Sequence, residues 1–259
     1  MFVLKTPEEI RKMEKAGRVV ARVLEEIGRS IRPGISTMDI DRIATRILSE
    51  MHATPSYLHY GNPPYPAATC VSVDSEVVHG IPSETRVLRE GSIVSVDFGA
   101  CVDGWHGDAA RTFMVGEVTD RTKQLVADTE MCFWKGFEAA VVGNRIGDIS
   151  HAVQTYAEER GYGVVRELIG HGIGRHLHED PDVPNYGRPG RGARLIEGMV
   201  IAIEPMINLG SANVLTLEDG WTVETADGLP SAHYENTVAI TAAGPVLLTL
   251  PGGRGPVRT

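Results

Sequence analysis

Apolar residues near the start of the chain recur at the spacing of an amphipathic helix. This stripe consists of Ile10, Met13, Ala16, Val20 and Leu24. Thr6 can cap the helix, Pro7 suits its first turn, and Glu9 can close a capping box. We therefore predict a helix from residue 7 to about residue 30, because Pro33-Gly34 then breaks the pattern.

The same apolar spacing predicts three further helices, and apolar–polar alternation predicts strands between them. The helices are expected at about 37–52, 120–142 and 146–161. The strands are expected at about 69–73, 93–102, 107–115, 163–168, 199–207, 221–224 and 232–241. A turn at Asp103-Gly104 joins the second and third of these strands, and residues 57–70 form an ordered loop rich in Gly, Pro and Tyr.

The order helix, helix, carboxylate-bearing strand pair occurs twice, offset by roughly 110 residues. Ile35 in the first half corresponds to Ile146 in the second, and Asp97 corresponds to Glu204. The mixture of helices and hairpin-linked strands indicates an α+β fold in one domain over residues 1–259. Its pseudo-symmetric halves would span about 6–118 and 119–249, and residues 251–259 would form a frayed tail.

Four carboxylates lie within the strand-like segments. Asp97 and Asp108 belong to the first strand pair, and Glu204 and Glu235 belong to the second. A single acid in a strand is most often exposed or half of an ion pair. Ionised carboxylates among buried hydrophobes cost several kcal/mol unless positive charge compensates them. Because these segments contain one cation, Arg111, for four acids, the pattern favours a metal centre.

A glycine-rich segment between the two strand pairs supplies imidazoles. Residues 169–181 carry His171 and His178, seven positions apart, on backbone that is not expected to be helical. A lone histidine beside glycine is more often structural than a ligand. Together with the four acids, however, it gives a nitrogen–oxygen ligand set that suits a hard or borderline divalent metal. The three cysteines have no CxxC spacing and do not compete as ligands.

The composition is that of an ordinary globular protein. Of the 259 residues, 42% are hydrophobic and 23% are charged, which suffices for one large domain or two small ones. The net charge of −9 argues against general nucleic-acid binding. The first residues lack an apolar signal segment, no apolar run is long enough to span a membrane, and the sparse cysteines suit a reducing compartment. We therefore expect a cytoplasmic protein.

Seven short motifs resemble those of the type I methionine aminopeptidases, within the wider, M24-like "pita-bread" metallopeptidase family. They are Val78-His79-Gly80-Ile81-Pro82, Val96-Asp97-Phe98-Gly99, Gly107-Asp108, His171-Gly172-Ile173-Gly174, His178-Glu179, Ile203-Glu204-Pro205 and Tyr234-Glu235-Asn236-Thr237. Glu204 follows His178 by only 26 positions, which leaves no room for the helical insertion of type II enzymes. We also expect the chain to lack the extra N-terminal domain of proline-specific relatives. The resemblance implies the pita-bread fold, a curved, largely antiparallel sheet with helices on its outer face.

The resemblance also implies which residues hold metal and which act on substrate. The implied ligands of two divalent ions (Co, Mn, Fe or Zn) are Asp97, Asp108, His171, Glu204 and Glu235, with Asp108 and Glu235 bridging. The ions would activate a hydroxide that attacks the scissile carbonyl, and Glu204 would shuttle its proton to the leaving nitrogen. His178 would donate to the developing oxyanion, and His79 would bind near the scissile nitrogen.

By the same resemblance, Tyr65, Cys70 and Trp221 would line a pocket for the methionine side chain, although simple core packing accounts for the same residues. The chain departs from the family at two positions. An aromatic residue is frequent at the position of Leu177, and a smaller residue is frequent at the position of His176. This departure concerns the pocket and not the metal site. Two further histidines, His106 and His233, flank the acids but match no ligand position, so we expect them at supporting or surface positions.

The implied activity is co-translational removal of the initiator methionine from proteins whose second residue is small. The partners would be N-termini of nascent polypeptides near the ribosome, with no specific nucleic acid and no membrane, and we expect a monomer. Two alternatives stay open. One is a proline dipeptidase or another metallohydrolase, and the other is a metal-free binding module of the same fold. A serine hydrolase is disfavoured, because the chain has no Gly-x-Ser-x-Gly motif.

Overall fold

The computed structural model describes residues 2–250. The helices in this range are α1 (Pro7–Ser30), α2 (Thr37–Glu50), α3 (Asp120–Ala139) and α4 (Ile146–Glu158). All four predicted helices are confirmed, and the last three end two or three residues earlier than the apolar pattern indicated. The predicted tail at 251–259 lies outside the described residues.

Residues 2–250 contain fifteen strands, of which the first five lie between α2 and α3 and the other ten follow α4. They are β1 (Thr54–Pro55), β2 (Cys70–Val73), β3 (Glu76–Val78), β4 (Ile93–Val102), β5 (Trp105–Met114), β6 (Gly163–Val164), β7 (Gly170–Gly172), β8 (Glu179–Val183), β9 (Val200–Ile203), β10 (Met206–Asn208), β11 (Val214–Thr216), β12 (Val223–Thr225), β13 (Ser231–His233), β14 (Asn236–Thr241) and β15 (Gly244–Leu247). Each recorded strand pair is antiparallel, and hydrogen bonding divides the expected curved sheet into four smaller sheets.

Helix α1 forms where the sequence provides its capping signals. The Thr6 side chain accepts a hydrogen bond from the Glu9 N–H, and the Glu9 carboxylate accepts one from the Thr6 N–H, which closes the predicted capping box. The apolar stripe packs on β4 and β5, and it buries Val20, Leu24 and Ile27. Each such side chain contributes about 1.5–3 kcal/mol. This packing holds α1 against the strands that carry the first two acids.

Strand β4 is the central strand of the first half. It pairs with β1, β2 and β5, and its hairpin with β5 turns at Asp103-Gly104. Both turn residues have positive φ, 53° and 75°, as a two-residue Asp-Gly turn requires. The predicted hairpin is therefore confirmed.

The second half contains the matching pair, β9 with β14, in a sheet ordered β15–β14–β9–β7–β8. Strand β10, which follows β9, and strand β13, which precedes β14, pair with each other in a different sheet, together with β6. The predicted unbroken strands at 199–207 and 232–241 are therefore wrong, because they break at Glu204-Pro205 and at Tyr234-Glu235. Pro205 has no N–H for a ladder hydrogen bond. One acid lies at each break.

Hydrogen bonds join the two halves beside these breaks. Ala110 and Glu235 exchange backbone N–H···O bonds of 3.0 and 3.4 Å. The Thr237 hydroxyl accepts from the Asp108 N–H and donates to the Asp108 carbonyl, both at 2.9 Å. An acid of the first half is thereby fixed next to an acid of the second. None of the helices within residues 2–250 has the length and hydropathy of a membrane-spanning segment.

Candidate metal centre and substrate cavity

The predicted site residues surround one cavity. Its volume is about 530 Å³, including its opening to solvent. The residues that line it are Tyr57, Tyr60, Tyr65, Cys70, His79, Asp97, Asp108, His171, His178, Glu204, Trp221 and Glu235. The structure thus brings together all five residues proposed as ligands, the two proposed substrate histidines and the three proposed pocket residues.

Strand register places the first two acids on one face of the β4–β5 hairpin. Asp97 is paired with Ala110, and Asp108 lies two positions away on the same strand as Ala110. Because side chains alternate along a strand, residues two apart share a face, so the two carboxylates are diagonal neighbours. Gly99 is paired with Asp108, and a Cβ there would lie 2.8 Å from the Ser56 Cβ. The absence of a side chain at this position therefore keeps the face open.

Tyr57 is a site residue that sequence reasoning missed. Its hydroxyl lies 2.5 Å from Asp97 Oδ1 and also hydrogen-bonds Asp108 Oδ1. The loop that follows β1 carries this tyrosine, and the side chain is buried. The high tyrosine content of residues 57–70 was the available signal, but spacing along a loop does not show which side chain reaches a strand.

His171 presents a lone pair to the cavity. Its Nδ1 is 2.8 Å from the carbonyl oxygen of Gly172, which can only accept, so the ring proton lies on Nδ1. Burial and, secondarily, nearby His178 lower its pKa to about 3, so the ring is neutral near pH 7. A neutral imidazole protonated on Nδ1 leaves Nε2 free to bind a metal.

Burial raises the pKa of all four carboxyl groups at the cavity. The pKa of Asp97 rises to about 6, and those of Asp108, Glu204 and Glu235 rise well above their ordinary values. Loss of hydration is the main cause, and repulsion from neighbouring carboxylates adds to it for the last three. A cation among these groups would offset the cost of keeping them ionised.

The chain's own Lys and Arg side chains do not supply that cation. Within residues 2–250, the Lys, Arg or His side-chain nitrogens recorded within 4.0 Å of these carboxylates belong to His171 and His233, both facing Glu204. The Arg111 guanidinium donates instead to two backbone carbonyls and to the side chain of Asn236. The carboxylates are therefore left without a Lys or Arg counter-ion.

The donor set fits a divalent metal. Asp108, His171 and Glu235 each place a ligand atom within 4.8 Å of the others. Among the described residues, Glu235 Oε1 is buried without a hydrogen-bond partner. Carboxylate oxygens and one imidazole nitrogen suit the borderline divalent ions named above.

His178 lies at the mouth of the cavity, next to His171. The two rings are perpendicular, with centroids 4.2 Å apart. The Tyr60 hydroxyl hydrogen-bonds His178 Nδ1. Tyr60 is a second loop residue that sequence reasoning did not assign, and it fixes the direction of the His178 ring.

A buried ion pair anchors the backbone beside His178. Lys5 Nζ lies 2.6 Å from Glu179 Oε2, and the two side chains are only 2% and 6% exposed. The other Glu179 oxygen accepts from the His176 N–H. Burial alone would raise the pKa of Glu179, but these hydrogen bonds outweigh it and hold the pKa below 4.5. The segment before α1 is thus tied directly to the histidine-bearing segment.

His79 reaches the cavity through an unusual backbone conformation. Its φ is +60°, which is uncommon for a residue other than glycine and is often found at functional sites. A Cβ on the next residue, Gly80, would lie 2.4 Å from the Val71 carbonyl oxygen, so this turn needs glycine. Burial, and then His178, lowers the pKa of His79 to about 4, so its ring is neutral near pH 7.

Aromatic rings form the apolar wall of the cavity. Tyr65 and Trp221 meet edge to face with centroids 5.2 Å apart, and the Tyr65 hydroxyl donates to the Gly80 carbonyl. Cys70 is buried beside Asp97, its partner in the strand register. Leu177 packs in the same apolar cluster as Tyr65 and Cys70. Leu177, one of the two departures from the family, therefore packs behind the cavity wall and does not line the cavity.

His106 and His233, the two histidines that flank the acids in the sequence, differ in burial and in hydrogen bonding. His106 is partly buried, and its Nδ1 hydrogen-bonds the Ser56 hydroxyl at 2.9 Å. His233 is only 1% exposed, with Nε2 3.8 Å from Glu204 Oε2. A surface position, one of the two expectations for His233, is therefore wrong, because the side chain is buried where β13 meets Thr112 of the other half.

Comparison with known proteins extends the likeness beyond the cavity. A model of metallopeptidase family M24 matches residues 11–242. The methionine aminopeptidase of Clostridium acetobutylicum is 51% identical, over 96% of this chain and 99% of its own. The structure of a methionine aminopeptidase from Thermotoga maritima has a TM-score of 0.95 and 46% identity, covering 97% of this chain and all of that one. A prolidase from Pyrococcus furiosus shares the fold alone, with a TM-score of 0.78, 24% identity and 66% of its chain covered.

The sequence resemblance and the predicted pita-bread fold are both confirmed by these comparisons. A match over most of the chain, with relatives about half identical over nearly their whole length, is more than a likeness of fold. The chain belongs to metallopeptidase family M24.

Proposed function

We propose that this protein is a metallo-exopeptidase that removes the initiator methionine from nascent proteins whose second residue is small. The main support is the convergence of five metal donors and two histidines on one cavity, in a chain 51% identical to a methionine aminopeptidase. The substrate chemistry is therefore hydrolysis of the first peptide bond.

The proposed metal centre holds two divalent ions. Asp97, Asp108, His171, Glu204 and Glu235 would hold them. The ligand chemistry leaves Co, Mn, Fe and Zn open, because availability usually decides among them. Bound there, the ions would polarise the scissile carbonyl and lower the pKa of water toward neutrality.

Glu204 is the proposed proton carrier. Its Oε1 is 3.6 Å from His171 Nε2, and its Oε2 is 3.8 Å from His233 Nε2. Burial, followed by the charges of Asp97 and Asp108, raises its pKa and so favours proton uptake. In this role the carboxylate takes a proton from the attacking water and returns it to the leaving amide nitrogen.

His178 is the proposed donor to the developing oxyanion. When the Tyr60 hydroxyl donates to Nδ1, the ring proton of a neutral His178 must lie on Nε2. That N–H is then free to donate to the carbonyl oxygen of the substrate. Because negative charge grows on this oxygen, the hydrogen bond stabilises the transition state more than the bound substrate.

His79 is proposed to bind near the scissile nitrogen. A neutral ring held by a strained turn can donate or accept there without moving. The free amino group of the substrate would lie on the Asp97 side of the centre. That position of the amino group would limit cleavage to a single N-terminal residue, and Tyr65, Cys70 and Trp221 would enclose the methionine side chain.

The proposed setting follows from the substrate. Nascent N-termini emerge at the ribosome, so we infer that the protein acts close to it, in the cytoplasm. We propose that it acts as a monomer. The net charge of −9 does not favour binding to nucleic acid itself.

Two tripeptides that differ at the second position, and one Xaa-Pro dipeptide, test the function. Manganese-loaded protein is incubated with Met-Ala-Ser, Met-Leu-Ser and Ala-Pro, and the released amino acid is quantified by chromatography. We expect methionine from Met-Ala-Ser and far slower release from Met-Leu-Ser, because Tyr57, Tyr60 and Tyr65 of one loop line the cavity and would crowd a large second residue. Equal release from both Met peptides would contradict the specificity. Preferential cleavage of Ala-Pro would favour a dipeptidase, and absence of bound metal after loading would favour a binding module.

A further inference from the structure

His233 has unsatisfied polar atoms in a fully buried position. Within residues 2–250, neither ring nitrogen has a hydrogen-bond partner, and the residue is 1% exposed. A buried polar group left without a partner is costly, so a ring retained in this way points to a partner that it meets in the working protein.

The backbone holds this ring in a fixed direction. His233 is paired with Met206 across two strands, next to the break at Glu204-Pro205. Thr112, from the other half of the molecule, accepts from the His233 N–H and donates to its carbonyl, both at 2.9 Å. Both halves therefore contribute to placing the ring.

The only acidic side chain that the ring faces within 4.0 Å is Glu204, among the described residues. The Glu204 carboxylate lies between two imidazoles, Oε1 toward His171 and Oε2 toward His233. His171 cannot donate to it when neutral, because its single ring proton is used on the Gly172 carbonyl. His233 has no such commitment, and an imidazole in either protonation state has at least one N–H.

We propose that His233 is a positioning residue that holds Glu204 by donating Nε2–H to Oε2, which fixes the direction in which Oε1 faces the cavity. This inference rests on the proposed function of Glu204. A closure of less than 1 Å from the present 3.8 Å gives an ordinary hydrogen bond. Partners behind a metal ligand commonly change metal affinity or activity about 10–100-fold when removed.

Three variants of His233 separate the hydrogen bond from the volume of the ring. His233→Gln can place an amide N–H where Nε2 was, His233→Asn reaches only the position of Nδ1, and His233→Leu has no donor. The control is His151→Leu, a change at an exposed histidine of α4. Each protein is measured for Mn²⁺ affinity by calorimetry, for kcat and KM on Met-Ala-Ser, and for melting temperature.

We expect His233→Leu and His233→Asn to lose about 10–100-fold in kcat or Mn²⁺ affinity, with KM within about twofold, and His233→Gln to retain most of both. Equal losses in the Gln and Asn variants, or wild-type behaviour in all three, would overturn the proposal. If the Leu variant does not fold, the comparison of Gln with Asn still decides. If wild-type protein releases no methionine, the proposed function fails, and Mn²⁺ affinity alone tests the placement of Glu204.

Discussion

Replacement of Lys5 by methionine should destabilise the protein far more than its position near the chain start suggests. Lys5→Met keeps the length of the side chain but removes the partner of Glu179, whose side chain is 6% exposed. Breaking a buried pair in this way costs about 3–5 kcal/mol, because one charge stays buried without compensation. For a protein of this size that corresponds to a fall of roughly 6–20 °C in melting temperature.

The loss of stability in Lys5→Met should depend on pH in a predictable direction. In the wild type the pKa of Glu179 is held below 4.5, so the pair contributes stability above that pH and loses it as the pH falls through the folded-state pKa. Without Lys5, one interaction that lowers the pKa of Glu179 is lost, so the effect of burial raises this pKa. The deficit of Lys5→Met should therefore be larger at pH 7 than near pH 4.

Urea unfolding of four proteins measures the effect. The matched control is Lys12→Met, since Lys12 forms an exposed pair with Glu8 at 3.7 Å and should change stability by less than about 0.5 kcal/mol. Lys5→Met combined with Glu179→Leu should recover much of the loss, because it removes the buried charge. A Lys5→Met deficit no larger than that of Lys12→Met would refute the reasoning.

Three further predictions concern the cavity. Glu204→Gln should lower kcat about 10²–10⁴-fold by removing the proton carrier, and a variant with more than half of wild-type kcat would exclude Glu204 from the mechanism. His178→Ala should lower kcat about 10²–10³-fold with unchanged bound metal, whereas His171→Ala should weaken metal binding, so metal content in the two variants checks which histidine is the ligand. Mn²⁺ at a hundred times its Kd should stabilise the fold by about 2.7 kcal/mol, seen as a higher melting temperature that EDTA reverses; an unchanged melting temperature would count against a metal bound by the folded state.

The apolar pattern was sufficient to predict the parts of the fold that local chemistry decides. The capping box at Thr6 and Glu9 and the Asp103-Gly104 turn each depend on residues a few positions apart, and both are found in the structure. The resemblance located the cavity residues, because the family motifs contain most of them.

The remaining features depend on contacts that are distant in sequence. Apolar residues lie on both sides of Glu204-Pro205, so the pattern could not show that the strand changes sheets there, although Pro205 was a signal for a break. Tyr57 and Tyr60 reach Asp97 and His178 across loops, where spacing carries no information on direction. The burial of His233 depends on how the two halves meet.

The central claim is that the buried acids hold metal in order to cleave the bond after an N-terminal methionine. Parallel titration of Mn²⁺ binding and of methionine release from Met-Ala-Ser tests this most directly, in wild-type protein and in Asp108→Asn, which preserves shape but removes one charge. We predict that release rises with bound Mn²⁺, vanishes with EDTA, and falls together with metal affinity in the variant. Undiminished release after complete metal removal, or in a variant that binds no metal, would contradict the account.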